Sequence, residues 1–228
     1  LYPGSTLADS IWKVYGRGVP RPPSWDPYWG NSIPRQSISD NDFYMTYTDT
    51  VGRVAGHIPM RLKVIESAFV WNDSAGEGID IIQYKIINRG AKTIDSTYVG
   101  MFVEGDVGHL RELNYWSRNY AGYFPGSRTA YCDNPVEFGV TPLGLSLLAA
   151  PRPLDSLRIA FQWFPGPQTP SDDRSKYALI SSGVIRPDEY PTLSDSRFVF
   201  ACGPFTLRPI THPTPDTLVV AFALVSGQ

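Results

Sequence analysis

The chain has 228 residues and a formal net charge of −2, with 18% charged residues, 13% aromatic residues, 21 prolines and 20 glycines. The near-neutral charge gives no electrostatic signature for binding nucleic acid or anionic membranes, and the apolar content excludes a disordered chain. No apolar run approaches the roughly 18 residues of a membrane-spanning helix. This composition is typical of a secreted β protein. Because the chain begins at Leu1, we expect it to be a processed or excised piece of a longer protein.

The hydrophobic pattern predicts an all-β fold. β-branched and aromatic residues recur in short runs, several of them alternating with polar residues, as half-buried strands do. We expect a two-layer, mainly antiparallel β-sandwich with long loops and one short helix. The predicted strands are Asp42–Asp49, Met60–Trp71, Ile79–Ile87, Tyr98–Val103, Leu157–Trp163, Arg197–Cys202 and Thr217–Val225.

Three local features refine this picture. The segment Ile79–Gly108 is predicted to form a hairpin of two apolar strands. The alternation within Met60–Trp71 changes phase near Glu66, which predicts a bulge or bend there. A helix is predicted near Pro170–Ser182, with Thr169 as its N-cap.

The first 39 residues differ in composition from the rest. Prolines and aromatic residues alternate in Gly16–Gly30, and proline at this density disrupts strand pairing. We therefore divide the chain into an arm, residues 1–39, and a single β-sandwich domain, residues 40–228. The arm is expected to pack either on its own domain or on a neighbouring copy.

Two aromatic clusters are candidates for binding a ligand or a partner. Trp, Tyr and Arg dominate protein-interface hot spots, and aromatic rings also stack on sugars. The alternative is that these rings cover the ends of the sandwich. The residues are Trp25, Tyr28 and Trp29 in the arm, and Tyr115, Trp116, Arg118 and Tyr120 in a predicted loop.

Two acidic pairs are candidates for metal binding. Asp40 with Asp42, and Glu104 with Asp106, offer carboxylates at alternate positions, a spacing that calcium often uses in extracellular loops. Calcium is the one cofactor that we consider for the chain. The alternative reading is a set of turn-forming residues that cap strand ends.

Two cysteines, Cys132 and Cys202, are the number needed for one disulfide in an oxidising compartment. Cys132 is predicted to lie in a loop and Cys202 at the end of a strand. The alternative is two separate buried thiols.

A series of segments resembles a module common in large secreted or surface proteins of Bacteroidetes and related phyla, many of them exported by type IX secretion. The likeness covers about residues 40–227, and one departure is Glu104, where the relatives often have Asp. The resemblance implies an extracellular or cell-surface location and supplies no enzymatic assignment. The segments are YTDT (47–50), IIQYKIINRGAKTIDSTYVGMFVEGDVG (81–108), CDNPVEFGVTPLGLSLLAAPRPLDSLRIAFQWF (132–164), DDRSKYALISSG (172–183) and the two final strands (195–227).

Motifs for catalysis are weak in this sequence. The histidines lack the HExxH spacing of zinc enzymes, and Glu104 with Asp106 is the one carboxylate pair that we consider for glycoside hydrolysis. We therefore expect a non-catalytic structural or adhesive module. Its expected partners are other copies of the chain, other surface proteins or polysaccharide. Contact with other copies would make the module self-assembling. A carbohydrate-binding module is the alternative, and a glycoside-active enzyme domain comes third.

Overall fold

The structure is a computed structural model that describes residues 12–51 and 58–226. It confirms the all-β prediction, because the described chain is built mainly from antiparallel strands in two sheets. The strands are β1 (Trp12–Tyr15), β2 (Asn41–Thr48), β3 (Leu62–Val70), β4 (Ile79–Asn88), β5 (Ile94–Glu104), β6 (Tyr120–Phe124), β7 (Thr129–Asp133), β8 (Leu143–Ala149), β9 (Arg158–Pro165), β10 (Ser196–Leu207) and β11 (Thr217–Ser226).

The chain divides into two compact units. Unit 1 contains β1 to β4 and the first six residues of β11, in the order β1-β2-β3-β4-β11. Unit 2 contains β6, β7 and β9, most of β5, β8 and β10, and the end of β11. Whether residues 1–39 and 40–228 behave as an arm and one domain stays a prediction, since contacts within one folded chain do not decide which segments fold independently.

The core of unit 1 is an aromatic cluster around Tyr44 on β2. The Tyr44 ring is fully buried, with ring centroids of Trp25, Trp29 and Phe69 at 6.3, 6.2 and 6.3 Å. Trp25 ends a 3-10 turn and Trp29 ends the four-residue helix α1 (Asp26–Trp29), so the proline-rich segment supplies both rings. Burying each large ring contributes on the order of 2–3 kcal/mol, which offsets the entropy lost when this irregular segment is ordered.

The predicted bulge in β3 is wrong. The pairing of β3 continues without a break from Lys63 to Val70 with β2 and from Leu62 to Val70 with β4. The hydrophobic alternation changes phase because one face of the strand is buried near its start and the opposite face is buried farther along. Leu62 and Val64 are buried on one face, whereas Ile65 and Phe69 are buried on the other, where the aromatic cluster lies.

Unit 2 is a two-layer sandwich in which the β6-β7-β8-β11 strands face the three-stranded sheet β5-β10-β9. The Tyr123 ring of β6 lies 5.7 Å from Phe161 of β9 and 5.7 Å from Phe200 of β10, which joins the layers. Such aromatic contacts stabilise a core beyond the area they bury.

Residues 184–194 cover one edge strand of each sheet of unit 2, β9 of the three-stranded sheet and β6 of the other. Val184 accepts a hydrogen bond from Phe161 N on β9, at 3.0 Å. Farther along, Glu189 N donates to Ala121 O on β6 at 2.9 Å, and its side chain accepts from Ala121 N at 3.1 Å. Asp188 accepts from Tyr123 N. Because these bonds occupy groups of edge strands, they oppose pairing of those groups with another chain.

The predicted helix is confirmed, with different ends. Helix α2 runs from Asp173 to Ser181, and Asp172 is its N-cap because its side chain accepts from Ser175 N at 2.9 Å. Thr169 closes the preceding 3-10 turn by donating to Gly166 O. The sequence therefore contains two competing caps, and an aspartate is the stronger one.

Two other strand predictions need correction. The proposed hairpin is wrong, because β4 pairs within the order β3-β4-β11 whereas β5 pairs with β10. Cys132 lies on β7 and not in a loop. Strands β6, β7 and β8 were not predicted because each is short, and β6 and β8 are interrupted by Gly122 and Gly144. Among the described residues, no helix has the length and apolar character needed to cross a membrane.

Candidate interaction surface on two loops

Two loops of unit 2 expose large apolar side chains. One loop joins β5 to β6 and the other joins β7 to β8. Phe138 is 99% exposed, Leu110 85% and Leu113 77%. Contiguous exposed apolar groups commonly mark a site of protein contact. We define the loop surface by its exposed apolar residues, which are Leu110, Leu113, Trp116, Val136 and Phe138.

A buried asparagine, Asn119, fixes the first loop. Its Nδ2 donates to Tyr115 O at 3.1 Å and to Trp116 O at 2.9 Å, while its Oδ1 accepts from Val107 N at 3.0 Å. The side chain is fully buried. A short polar side chain thus satisfies backbone groups that a loop would otherwise leave unpaired.

Asn134 and Glu137 tie the second loop to the first. Asn134 Nδ2 donates to Val107 O at 3.0 Å and to Glu137 Oε1 at 3.2 Å. Glu137 Oε2 accepts from His109 N at 2.7 Å, and its Oε1 lies 3.7 Å from the Arg118 guanidinium. The polar side chains therefore hold the loops from within, and the apolar side chains lie outside in a fixed arrangement.

A cleft of about 370 Å³ opens beside the loop surface. Asp106, Val107, His109, Thr141 and Leu143 are among its lining residues. Its size is within the usual range of ligand pockets, roughly 300–1,000 Å³.

Asp106 is the carboxylate that lines the cleft, and the charges acting on it are more negative than positive, so we call this cleft the acidic cleft. Glu104 and Asp195 form ion pairs with Arg197, at 2.5 and 3.3 Å. Burial raises the pKa of Asp106, and the negative charges of Asp195 and Glu104 raise it further, whereas Arg197 lowers it. Asp106 thus lies where an additional cation would be stabilised.

The structure separates the aromatic candidates predicted from sequence. Tyr115, Trp116 and Arg118 lie on one 3-10 turn of the first loop, and only Trp116 is an exposed large apolar side chain of this turn. Trp25 and Trp29 are buried in the unit 1 core, so their proposed role as exposed binding platforms is wrong. The burial follows from the tight packing of both rings on Tyr44. Nothing is described of the Tyr28 side chain.

The fourth candidate of the predicted loop, Tyr120, belongs to a row of rings on β6, β7 and the covering segment 184–194. Tyr190 lies 5.3 Å from Tyr120, Tyr120 lies 5.9 Å from Tyr131, and Tyr131 stacks on Phe124 at 4.7 Å. Gly122 leaves the space that the Tyr131 ring fills, because a Cβ there would clash with it. Tyr190 and Phe124, the ends of the row, are exposed.

Three of the four candidate calcium ligands, Asp40, Asp42 and Glu104, have other partners. Asp42 accepts from Ile38 N, Ser39 N, Ser39 Oγ and Tyr44 Oη, which uses the acceptor sites of its two oxygens. Asp40 pairs with Arg17 at 3.1 Å. Within residues 12–51 and 58–226, no group of three or more His, Cys, Asp or Glu side chains is placed to hold a metal ion.

The predicted disulfide is not formed in the structure. Cys132 and Cys202 are both buried free thiols. Cys132 Sγ donates to Gly105 O at 2.8 Å, whereas Cys202 lies opposite Ile159 in the β9–β10 ladder. Their sulfurs therefore have different neighbours, which agrees with the alternative of two separate thiols.

Comparison with known proteins adds no relative. No protein-family model and no curated protein matches this chain.

Sequence reasoning missed the most exposed apolar residues of the loop surface. A signal was present, because Leu110, Leu113 and Trp116 recur every third residue within a segment without strand alternation. Val136 and Phe138 follow Pro135 and precede Gly139, so they also fall in a segment with loop composition. Apolar residues in such contexts have no element of their own to bury them.

Proposed function

We propose that the chain is a non-catalytic extracellular module with a structural or adhesive role at a bacterial surface. It acts by self-association through the loop surface. The observation that carries this proposal is the set of exposed apolar side chains on loops that buried polar side chains hold in place. The extracellular and bacterial parts of the proposal rest on the resemblance to Bacteroidetes surface modules.

Rigid loops favour association. A partner that binds a flexible loop loses part of its binding free energy in ordering side chains and backbone, whereas a preorganised surface avoids that cost. Asn119 and Asn134 are buried and hydrogen-bonded, so the loop surface needs little further ordering. Central apolar groups such as Leu110 and Phe138 are then the expected main contributors to affinity.

A second copy is the partner that we propose, since one surface carries both an acidic cleft and an exposed basic residue, Arg111, beside its apolar groups. Paired copies related by a two-fold axis bring such opposite charges together. A partner with only one sign of charge would leave part of this surface without a counter-charge.

The test is a comparison of molar mass by light scattering over a wide concentration range. The double variant Leu110→Ser/Phe138→Ser is expected to remain folded and to lose the oligomers that the unchanged chain forms. Ile58→Ser is the matched control, because Ile58 is 84% exposed and lies outside the loop surface. An unchanged chain that is monomeric at every concentration contradicts the proposal, as does a double variant that associates normally.

A second candidate function is polysaccharide binding by the aromatic row Tyr190–Tyr120–Tyr131–Phe124. Exposed rings stack on sugars, and Asp133 and Asp188 receive hydrogen bonds from Tyr120 and Tyr131 beside them. The row ranks second because Tyr120 and Tyr131 cross at 88° and offer no flat platform.

Affinity electrophoresis in gels containing a soluble β-glucan or a soluble mannan tests this candidate. Retarded migration that Tyr190→Ala and Phe124→Ala abolish would favour it. Migration equal to that in a gel without polysaccharide would eliminate binding to these two sugars.

A further inference from the structure

Arg111 is an exposed cation of the first loop. It lies between Leu110 and Leu113, two of the most exposed apolar residues of the loop surface. Among the described residues, Arg111 takes part in none of the ion pairs, which involve other arginines. Its neighbour Glu112 is also exposed, but Glu112 N is held in a turn by His109 O.

The acidic cleft lies on the same loops. Asp106 lines it, and the negative charges of Glu104 and Asp195 and the positive charge of Arg197 act on Asp106 from nearby. Arg197 forms its two ion pairs with Glu104 and Asp195, so Asp106 is the carboxylate left without an ion pair within 4 Å among the described residues. His109 also lines the cleft, and its Nε2 lies 3.2 Å from Phe138 O.

We infer that the loop surface pairs with itself in a two-fold arrangement, in which Arg111 of each copy enters the acidic cleft of the other and faces Asp106. This inference rests on the proposed function and specifies its contact. Two-fold pairing makes each charge contact occur twice, because residue i of one copy meets residue j of the other and the reverse.

An arginine suits this contact for physical reasons. Its aliphatic stem covers apolar surface such as Leu110 and Leu113 while its charged end reaches a carboxylate. The planar guanidinium donates two parallel hydrogen bonds to one carboxylate, which fixes the register of the copies. Opposite charges across an interface also raise the association rate and exclude wrong pairings.

A charge exchange tests the inference. Arg111→Glu alone places two carboxylates in each contact, and Asp106→Arg alone places two guanidinium groups there. Each variant is expected to raise the dissociation constant of self-association at least about tenfold. An equimolar mixture of the two variants restores an attractive pair in both contacts, and mixed dimers are expected at nearly the affinity of the unchanged chain.

Sedimentation velocity with one variant fluorescently labelled measures the mixed dimers. Arg174→Glu is the control, because Arg174 is exposed in the first turn of α2, where a carboxylate is favourable. If Asp106→Arg does not fold, Asp106→Asn replaces it, and weakened association is still expected.

The outcomes separate the two proposals. Charge variants that associate as well as the unchanged chain, or a mixture no tighter than either variant alone, overturn the Arg111–Asp106 contact. If the apolar variant Leu110→Ser/Phe138→Ser loses association in the same experiment, the proposed function stands without that contact. If the unchanged chain does not associate, the proposed function itself falls.

Discussion

Tyr47 on β2 donates a hydrogen bond to Glu66 on β3, with 2.9 Å between Tyr47 Oη and Glu66 Oε2. Tyr84 on β4 also hydrogen-bonds the same carboxylate. Burial raises the pKa of Glu66, and the bonds from the two tyrosines only partly oppose that rise. A half-buried carboxylate thus sits in the middle of three strands, held by phenols.

The first prediction concerns the pH dependence of stability through Glu66. Because its folded pKa is raised above the ordinary value of 4.5, the folded chain binds this proton more tightly than the unfolded chain. Its contribution to the free energy of unfolding is therefore greatest in acid and falls as pH rises from about that value through the raised folded pKa. Urea unfolding of the unchanged chain and of Glu66→Gln should show this difference, whereas Glu77→Gln, at an exposed site, should not. A pH-independent difference contradicts the assignment.

The second prediction concerns Asn119. Replacing it by Ala removes three hydrogen bonds to backbone groups of the loop. Leaving such groups unsatisfied should lower the free energy of unfolding by about 2–3 kcal/mol and weaken self-association by loosening the loop surface. Asn114→Gly is the control, because Asn114 has a left-handed φ of 58°, which glycine adopts readily. Equal stability of the two variants in urea would contradict the role of Asn119.

The third prediction concerns Asp216 and Arg208 in the turn before β11. Arg208 Nε and Nη2 donate to the two oxygens of Asp216 at 2.8 and 2.6 Å, and Arg208 N donates at 2.8 Å. These bonds lower the pKa of Asp216 to about 2. The stability they give is present above the ordinary value of 3.8 and is lost as pH falls through about 2.

Asp216→Asn is therefore expected to be less stable at pH 7 by at most about 1 kcal/mol, because the pair is solvent-screened. Asp80→Asn serves as the exposed control. Thermal unfolding at pH 7 and near pH 2 measures the difference, and a loss that persists unchanged near pH 2 would show that the carboxylate charge is not its source.

The fourth prediction concerns the thiols. Burial raises the pKa of Cys132 and of Cys202 to about 12, so neither is a thiolate to any useful extent at pH 8. Both should resist iodoacetamide in the folded chain and both should react after unfolding without reductant. Intact mass spectrometry counts the modified groups. An unfolded, unreduced chain that gains no alkyl groups would instead reveal the Cys132–Cys202 disulfide.

The sequence predicted well where burial follows the strand period. In β11, Leu218, Val220 and Phe222 alternate with smaller residues, and both sets are buried in the middle of the strand. The alternation is a local property of the sequence. The strand and its two faces can therefore be predicted without knowing which segments pack against each face.

Prediction failed where distant segments decide burial. The phase change in β3 looked like a bulge because the aromatic cluster that covers Phe69 comes from Trp25 and Trp29, far earlier in the chain. Likewise, Asn119 looked like an ordinary loop residue, although Val107 N makes it the anchor of the first loop. Whether Phe138 is exposed depends on whether a distant segment packs on it, and the local sequence pattern carries no information about that.

Hydrogen–deuterium exchange at low and high protein concentration tests the central claim most directly, since it locates the contact between copies. Association through the loop surface predicts slower exchange at high concentration in residues 108–118 and 134–142, and unchanged exchange in α2 and the β2–β4 strands. Equal exchange of the two loops at both concentrations, in a chain that light scattering shows to be associated, would contradict the account.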